Sequence, residues 1–114
     1  MKILFASDIH GSAYYCRRLL DIYKETKASR MVILGDILYH GPRNDLPKEY
    51  APKEVIAMLN PLKDQIYAVR GNCDTEVDQM VLQFPILADY ALLVLDGKTF
   101  YATHGHVFNQ DHLP

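Results

Sequence analysis

Short apolar runs alternate with longer amphipathic segments over the first seventy residues of the chain. The run 2–7 is too brief for a helix and closes on a polar residue, which predicts a strand buried on both faces, and 31–34 and 66–69 are the next two strand candidates. Between these runs, apolar residues recur every three or four positions, first after Ser12, which is suited to cap a helix, and again after Pro52. The order strand, helix, strand, helix, strand predicts a parallel sheet with right-handed crossovers.

The last third of the chain has a different pattern. Pro61 should distort or end the second helix, and Thr75 is suited to cap a third, short helix that reaches about Phe84. Two further apolar runs, 90–95 and 98–103, flank Asp96-Gly97, a dipeptide typical of two-residue hairpin turns. We therefore expect an antiparallel hairpin after the parallel sheet.

The composition is that of an ordinary soluble globular protein. Its 114 residues are 49% hydrophobic and 23% charged, which predicts one globular domain over residues 1–114. The net charge of −2 supplies no basic field for nucleic acid or anionic lipid. No apolar run approaches the roughly 20 residues that cross a bilayer. Cys16 and Cys73 match no zinc-ribbon spacing, so we expect a cytoplasmic, reducing setting.

Residues of types that bind metals follow four of the five predicted strands. Asp8 and His10 follow the first strand, Asp36 the second, Asn72 the third, and His104 the second hairpin strand. Taken singly, each has a plainer explanation as a helix cap or a turn residue. Together they lie where parallel strands present their carboxyl ends, the edge at which such sheets bind ligands. Oxygen and imidazole donors suit Mn, Fe or Zn, so the sequence predicts a metal site, with room for two ions.

The motifs that carry these residues resemble those of the calcineurin-like metallophosphoesterase superfamily, most closely its small bacterial phosphodiesterases. The motifs are Asp8-Ile9-His10, Gly35-Asp36, Gly71-Asn72-Cys73-Asp74 and His104-Gly105-His106, and the resemblance covers the whole chain. It implies the superfamily's αββα sandwich, two stacked mixed β-sheets flanked by helices, here truncated at the carboxyl end. It also implies a hydrolase that acts on a small phosphodiester.

The resemblance further implies two divalent metal ions, foremost Mn, with Zn, Fe or Ni as the other candidates. Asp8 and His10 would bind the first ion, Asp36 would bridge both, and Asn72 and His104 would bind the second. Such a pair acidifies a shared water for attack on phosphorus. Two carboxylates and a hydroxide would leave the centre a charge of about +1, which matches a singly charged diester better than a doubly charged monoester.

The remaining candidate residues surround the predicted centre. Cys73 stands where many superfamily members carry a histidine, so we expect it to join Asp36, Asn72 and His104 in catalysis as a weak general acid, with a buried structural thiol as the alternative. Arg43 and Asn44, in a long Pro-bearing loop over 38–52, are candidate substrate ligands, with a solvated loop as the alternative. His106 is a third substrate candidate or supports the metals. Asp74 should orient the Asn72 loop, and His40 and His112 should be solvated.

One departure from the superfamily pattern limits these predictions. The superfamily closes its centre with a Gly-His-x-His motif downstream of His104, and this sequence lacks it. Each predicted metal would keep three protein ligands, enough for an open catalytic site. The missing strands would leave the hairpin with an exposed edge, which favours a homo-oligomer. Two alternatives to an enzyme follow: a non-catalytic scaffold on this fold, comparable to the retromer subunit that uses it, or an inactive fragment of a longer phosphodiesterase.

Overall fold

A computed structural model describes residues 2–113 as two β-sheets with three α-helices. The strands are β1 (Ile3–Ala6), β2 (Arg30–Ile33), β3 (Ile66–Ala68), β4 (Ala91–Leu95) and β5 (Lys98–Ala102), and the helices are α1 (Ala13–Thr26), α2 (Pro52–Leu59) and α3 (Glu76–Val81). The first three strands form a parallel sheet in the order β1-β2-β3, and β4 and β5 form an antiparallel pair. The predicted α/β class is confirmed, although within residues 2–113 neither sheet is mixed: one is wholly parallel and the other wholly antiparallel.

The predicted helix ends agree with the structure. The Ser12 hydroxyl caps α1 by accepting a hydrogen bond from the Tyr15 amide. Pro61 lies in a 3₁₀ helix (Asn60–Gln65) that replaces the end of α2, as the sequence predicted. Thr75 and Asp78 cap α3 reciprocally, but α3 ends at Val81, before the predicted boundary. None of the helices described is long and apolar enough to cross a membrane.

The core lies between the parallel sheet and the first two helices. One face of the sheet packs Met31, Ile33 and Ile66 against Cys16 of α1 and Leu59 of α2, and all five side chains are buried. Because alternate residues of a strand point to opposite faces, the neighbouring positions face the hairpin instead.

The face of the parallel sheet toward the hairpin is only partly covered. Phe5 and Tyr67 are half exposed, so the expectation that the first strand is buried on both faces is wrong. A cavity of about 440 Å³ separates this face from β4, and side chains of Val32 and Tyr67 line it. The hairpin therefore covers the sheet loosely, while its turn forms as predicted, with positive φ at both Asp96 and Gly97.

Candidate metal centre

The loops that follow β1 and β2 run side by side beyond the ends of the strands. The amides of Asp8 and His10 donate to the carbonyls of Gly35 and Asp36, at 3.0 and 2.9 Å. These bonds continue the strand pairing into the loops and fix the positions of both carboxylates and the imidazole relative to one another. The predicted convergence of polar residues at this edge of the sheet is thus built from the backbone.

The loop after β3 approaches equally closely because of a glycine. A β-carbon added at Gly71 would lie 2.2 Å from Asp36 Oδ1 and 2.7 Å from the Asp36 amide nitrogen. Only a residue without a side chain lets the two loops meet at this distance.

Backbone strain is concentrated at the same residues. Asp8, His10 and Asp36 have φ values of 59°, 50° and 56°, in the left-handed region that non-glycine residues seldom adopt. Such conformations persist only where the surrounding structure enforces them, and they cluster at functional sites. Here the backbone hydrogen bonds between the loops after β1 and β2 hold the three residues in these conformations.

In each of the two candidate histidines, Nδ1 is hydrogen-bonded to a backbone carbonyl oxygen. His10 Nδ1 lies 2.7 Å from the Tyr39 carbonyl oxygen, and His104 Nδ1 lies 2.7 Å from that of Leu34. A carbonyl only accepts, so in each ring Nδ1 carries the proton and donates it, and Nε2 of the neutral ring presents a lone pair. This is the usual arrangement of metal-binding histidines, in which a second hydrogen bond fixes the ring orientation.

The Nε2 atoms of both histidines lie close to the same oxygen atom. Asp36 Oδ2 lies 3.6 Å from His10 Nε2 and 3.3 Å from His104 Nε2. Each Nε2 atom has a second close neighbour: His10 Nε2 lies 3.1 Å from Asp8 Oδ1, and His104 Nε2 lies 2.9 Å from Asn72 Oδ1. Five predicted residues therefore come together in two sets that share Asp36, one with Asp8 and His10 and the other with Asn72 and His104. The two sets overlap, because Asp8, Asp36 and His104 also offer ligand atoms within 4.8 Å of one another.

These separations match those between ligands of a common cation. With metal–ligand bonds of about 2.0 to 2.2 Å, two atoms bound to one tetrahedral or octahedral ion lie about 2.8 to 3.6 Å apart. Nitrogen and carboxylate oxygen atoms this close need a positive centre between them, either a proton on Nε2 or a bound cation. The donor set therefore fits divalent metal.

The negative charges of Asp8 and Asp36 also favour the binding of cations at the centre. Asp36 is only 2% exposed, and burial raises its pKa, helped by the charges of Asp74 and Asp8, while the Cys73 amide bond acts in the opposite direction. Within residues 2–113, no lysine or arginine forms an ion pair with Asp8 or Asp36. For Asp8, burial raises the pKa, but the hydrogen bond from the Ser7 hydroxyl acts in the opposite direction, and the net pKa is lowered. A buried carboxylate without a fixed cation is costly, and bound metal would remove that cost.

Asp74 joins the loops from beneath the centre. Its side chain is buried; Oδ2 accepts hydrogen bonds from the amides of Asp36 and Gly71, both at 2.7 Å, and Oδ1 accepts from the amide of Ile37 at 3.0 Å. Asp74 therefore orients the Asn72 loop, as the sequence suggested, and also fixes the backbone of Asp36, which the sequence did not indicate.

Cys73 lies at the edge of the centre. Its amide donates to Asp36 Oδ1 at 2.7 Å, and its Sγ belongs to a group with His10 and Asp36 whose ligand atoms all lie within 4.8 Å of one another. Burial raises the pKa of the thiol, and the carboxylates of Asp36, Asp74 and Asp8 raise it further.

The candidate substrate residues lie around this edge. Arg43 is exposed and close enough to Cys73 for its charge to act on the thiol. Asn44 is also exposed, but its Nδ2 donates to the His40 carbonyl at 2.9 Å, so part of its hydrogen-bonding capacity closes the loop. The exposed ring of His106 stands edge-on to that of His104, with 5.3 Å between the ring centres.

The two histidines expected to be solvated differ from each other. His112 is exposed, as expected, and stacks on Phe108. His40 is half-buried between the rings of Tyr39 and Tyr50, so the expectation of a solvated side chain is wrong. The apolar contacts of two tyrosines hold the ring in the loop, and its Nδ1 is buried without a hydrogen-bond partner among the residues described.

Sequence reasoning missed the parts of the centre that are made of backbone. The carbonyls of Leu34 and Tyr39 orient the two histidines, yet neither side chain signals such a role. Gly71 was assigned no role of its own from the sequence, although a glycine between the end of β3 and Asn72 was a signal for a close approach of backbones.

Comparison with known proteins identifies the family. A model of the family "Calcineurin-like phosphoesterase" matches residues 1–113. The chain is 50% identical to phosphodiesterase YfcE of Escherichia coli, in strain K12 and in strain O6:H1, over its full 114 residues. It spans 62% of the length of these curated relatives.

Solved structures agree. An E. coli structure described as that of Yfce, a phosphoesterase, superposes with a TM-score of 0.97 at 50% identity over 100% of this chain and 63% of that one. A predicted phosphoesterase from Streptococcus pneumoniae, 23% identical, shares the fold with a TM-score of 0.51 over 91% of this chain and 45% of its own. The predicted resemblance and fold are confirmed, and the chain belongs to the calcineurin-like phosphoesterase family.

Proposed function

We propose that this chain provides the centre of a metal-dependent phosphodiesterase. The observation that carries the proposal is that Asp36 Oδ2 lies within 3.6 Å of the Nε2 atoms of both His10 and His104. A carboxylate oxygen shared by two sets of donors suits a pair of divalent cations. The relatives named phosphodiesterase support the same activity, although the chain spans less than two thirds of their length.

The five residues of the centre have distinct roles in this proposal. Asp8 and His10 hold one ion, Asn72 and His104 hold the other, and Asp36 is common to both. When bound, two divalent ions supply water activation and neutralisation of the phosphoryl oxygens. The carbonyls of Tyr39 and Leu34 keep both imidazoles in the tautomer that presents Nε2. Asp74 keeps Asp36 in place when the substrate approaches, because three backbone amides bind its carboxylate.

The substrate we propose is a small phosphodiester with a good leaving group. Asp8 and Asp36 leave a dinuclear centre with a small positive charge, which a singly charged diester neutralises. The thiol of Cys73 is a weaker acid than an imidazolium, so protonation of the leaving group receives little help. Arg43, Asn44 and His106 are the candidate contacts to the substrate, and the exposure of all three is compatible with that role.

Manganese is the metal we propose, with zinc, iron or nickel as substitutes. The donors are two carboxylates, one amide oxygen and two imidazoles, a mixture of hard oxygen and borderline nitrogen ligands that suits Mn²⁺. We also propose a cytoplasmic setting, which the free thiols of Cys16 and Cys73 support.

Hydrolysis of a bis-aryl phosphate tests the proposal. We expect Mn²⁺-dependent release of the phenol, loss of the activity with a chelator, and its loss in Asp36→Asn. Asp64→Asn, at an exposed position remote from the centre, is the matched control and should keep full activity. Full activity in the presence of the chelator would overturn the proposal. Metal binding without hydrolysis would favour a longer protein as the active form, and absence of metal binding would favour a scaffold.

A further inference from the structure

Two neighbouring carbonyls in the loop after β2 bind residues of the site. The Tyr39 carbonyl accepts the hydrogen bond from His10 Nδ1 at 2.7 Å, and the His40 carbonyl accepts one from Asn44 Nδ2 at 2.9 Å. The dipeptide Tyr39-His40 therefore orients a proposed metal ligand and a candidate substrate residue together. It lies between β2 and α2, outside every helix and strand described, so side-chain contacts have to hold it in place.

The His40 ring supplies such contacts. It lies edge-on to the rings of Tyr39 and Tyr50, whose centres are 4.9 and 5.2 Å from its own. Aromatic rings attract one another in this arrangement, because the positive edge of one ring faces the negative face of the other. The buried Nδ1 atom of His40 has no hydrogen-bond partner among residues 2–113. On that side, packing holds the ring and a hydrogen bond does not.

Tyr50 forms the fixed end of this stack of rings. It makes an isolated antiparallel bridge with Ser12, and the Ala51 amide donates to the Gly11 carbonyl at 2.8 Å. A β-carbon added at Gly11 would lie 2.6 Å from Tyr50 Cε1, so the tyrosine ring lies against the backbone that directly follows His10. The rings therefore connect this backbone to the carbonyl that accepts the hydrogen bond from His10 Nδ1.

We propose that His40 is a positioning residue for the metal centre, whose ring keeps the Tyr39 carbonyl against His10 Nδ1. Loss of the middle ring of the stack would leave that carbonyl without support. The effect on metal binding rests on the proposed function, in which His10 holds one ion, whereas the effect on the hydrogen bond does not. A phenyl ring keeps the edge-on contacts without a nitrogen, so His40→Phe should retain the hydrogen bond and His40→Ala should lose it.

Proton NMR of the chain in the presence of a chelator tests the hydrogen bond. The Nδ1 protons of His10 and His104 both donate to backbone carbonyls and should give protected signals in the wild type, each assigned by its loss in an asparagine variant. His40→Ala should lose the His10 signal to exchange with water and keep the His104 signal, which reports an intact fold. His40→Phe should keep both signals. So should His112→Ala, the same substitution at an exposed histidine.

Equilibrium dialysis against Mn²⁺ tests the effect on the centre. His40→Ala should weaken the binding of one of the two ions roughly tenfold or more, as is typical when a hydrogen bond behind a metal-binding histidine is lost. His40→Phe should bind both ions as the wild type does.

Four results would overturn the positioning role of His40. They are a His10 signal that persists in His40→Ala, loss of both histidine signals in that variant, loss of the His10 signal in His40→Phe, and unchanged affinity for both ions in His40→Ala. Absence of Mn²⁺ binding by the wild type would overturn the proposed function alone, because the NMR comparison is made without metal.

Discussion

Asp74→Asn changes a residue that supports the metal centre and leaves all five of its predicted ligands in place. The change is isosteric, but an amide has one acceptor oxygen where the carboxylate has two. If that oxygen keeps the amides of Asp36 and Gly71, the new NH₂ group faces the Ile37 N–H, and two donors meet in a buried site.

The expected loss follows from the bonds involved. One hydrogen bond to a charged group is removed, the Ile37 amide is left unsatisfied, and the two remaining bonds lose their charge assistance. Relief of the repulsion between Asp74 and Asp36 offsets part of this loss. We therefore expect the free energy of unfolding to fall by about 2–4 kcal/mol.

Metal affinity should fall as well, because the Asp36 backbone loses part of its support. Loss of such a supporting hydrogen bond typically weakens metal binding by about 10- to 100-fold. Urea unfolding with a chelator present measures the first effect, and Mn²⁺ titration calorimetry measures the second. Asp64→Asn is the control. An unfolding free energy within about 0.5 kcal/mol of wild type, with unchanged Mn²⁺ affinity, would refute the reasoning.

Three further substitutions test other parts of the structure. Gly71→Ala should abolish Mn²⁺ binding, because the new β-carbon would displace Asp36 Oδ1. Gly97→Ala should retain Mn²⁺ binding, because a β-carbon there has no neighbour within 4 Å. Equal Mn²⁺ affinities of the two variants by calorimetry would contradict this. Thr75→Ala should lower the free energy of unfolding by about 1 kcal/mol and Thr75→Ser by little, since only alanine removes the cap of α3; equal urea midpoints would refute the cap. Burial raises the pKa of Cys16 to about 11. In a Cys73→Ala variant, the Cys16 thiol of the native chain should therefore resist alkylation at pH 8 and react fully in urea. Rapid labelling of the native chain would show that the Cys16 thiol is accessible.

The sequence predicted the convergence of the centre because topology alone determines it. Parallel strands share one edge for their carboxyl ends, so Asp8, Asp36 and Asn72 had to meet once the three strands were recognised. The hairpin turn at Asp96-Gly97 was equally predictable, because a two-residue turn with positive φ at both positions strongly favours this dipeptide.

What the sequence could not predict depends on contacts between distant segments. The carbonyls of Leu34 and Tyr39 carry no side-chain signal, and the enclosure of His40 depends on where Tyr50 folds back. The exposure of Phe5 likewise reflects how far the hairpin stands from the parallel sheet, which no local pattern records.

The number of metal ions that share Asp36 tests the central claim most directly. Equilibrium dialysis against Mn²⁺ followed by elemental analysis should give two ions per chain for the wild type. Asp36→Asn should lose both, because Oδ2 lies within 3.6 Å of the Nε2 atom in each set of donors. A single ion or none in the wild type, or two ions in Asp36→Asn, would contradict the shared centre.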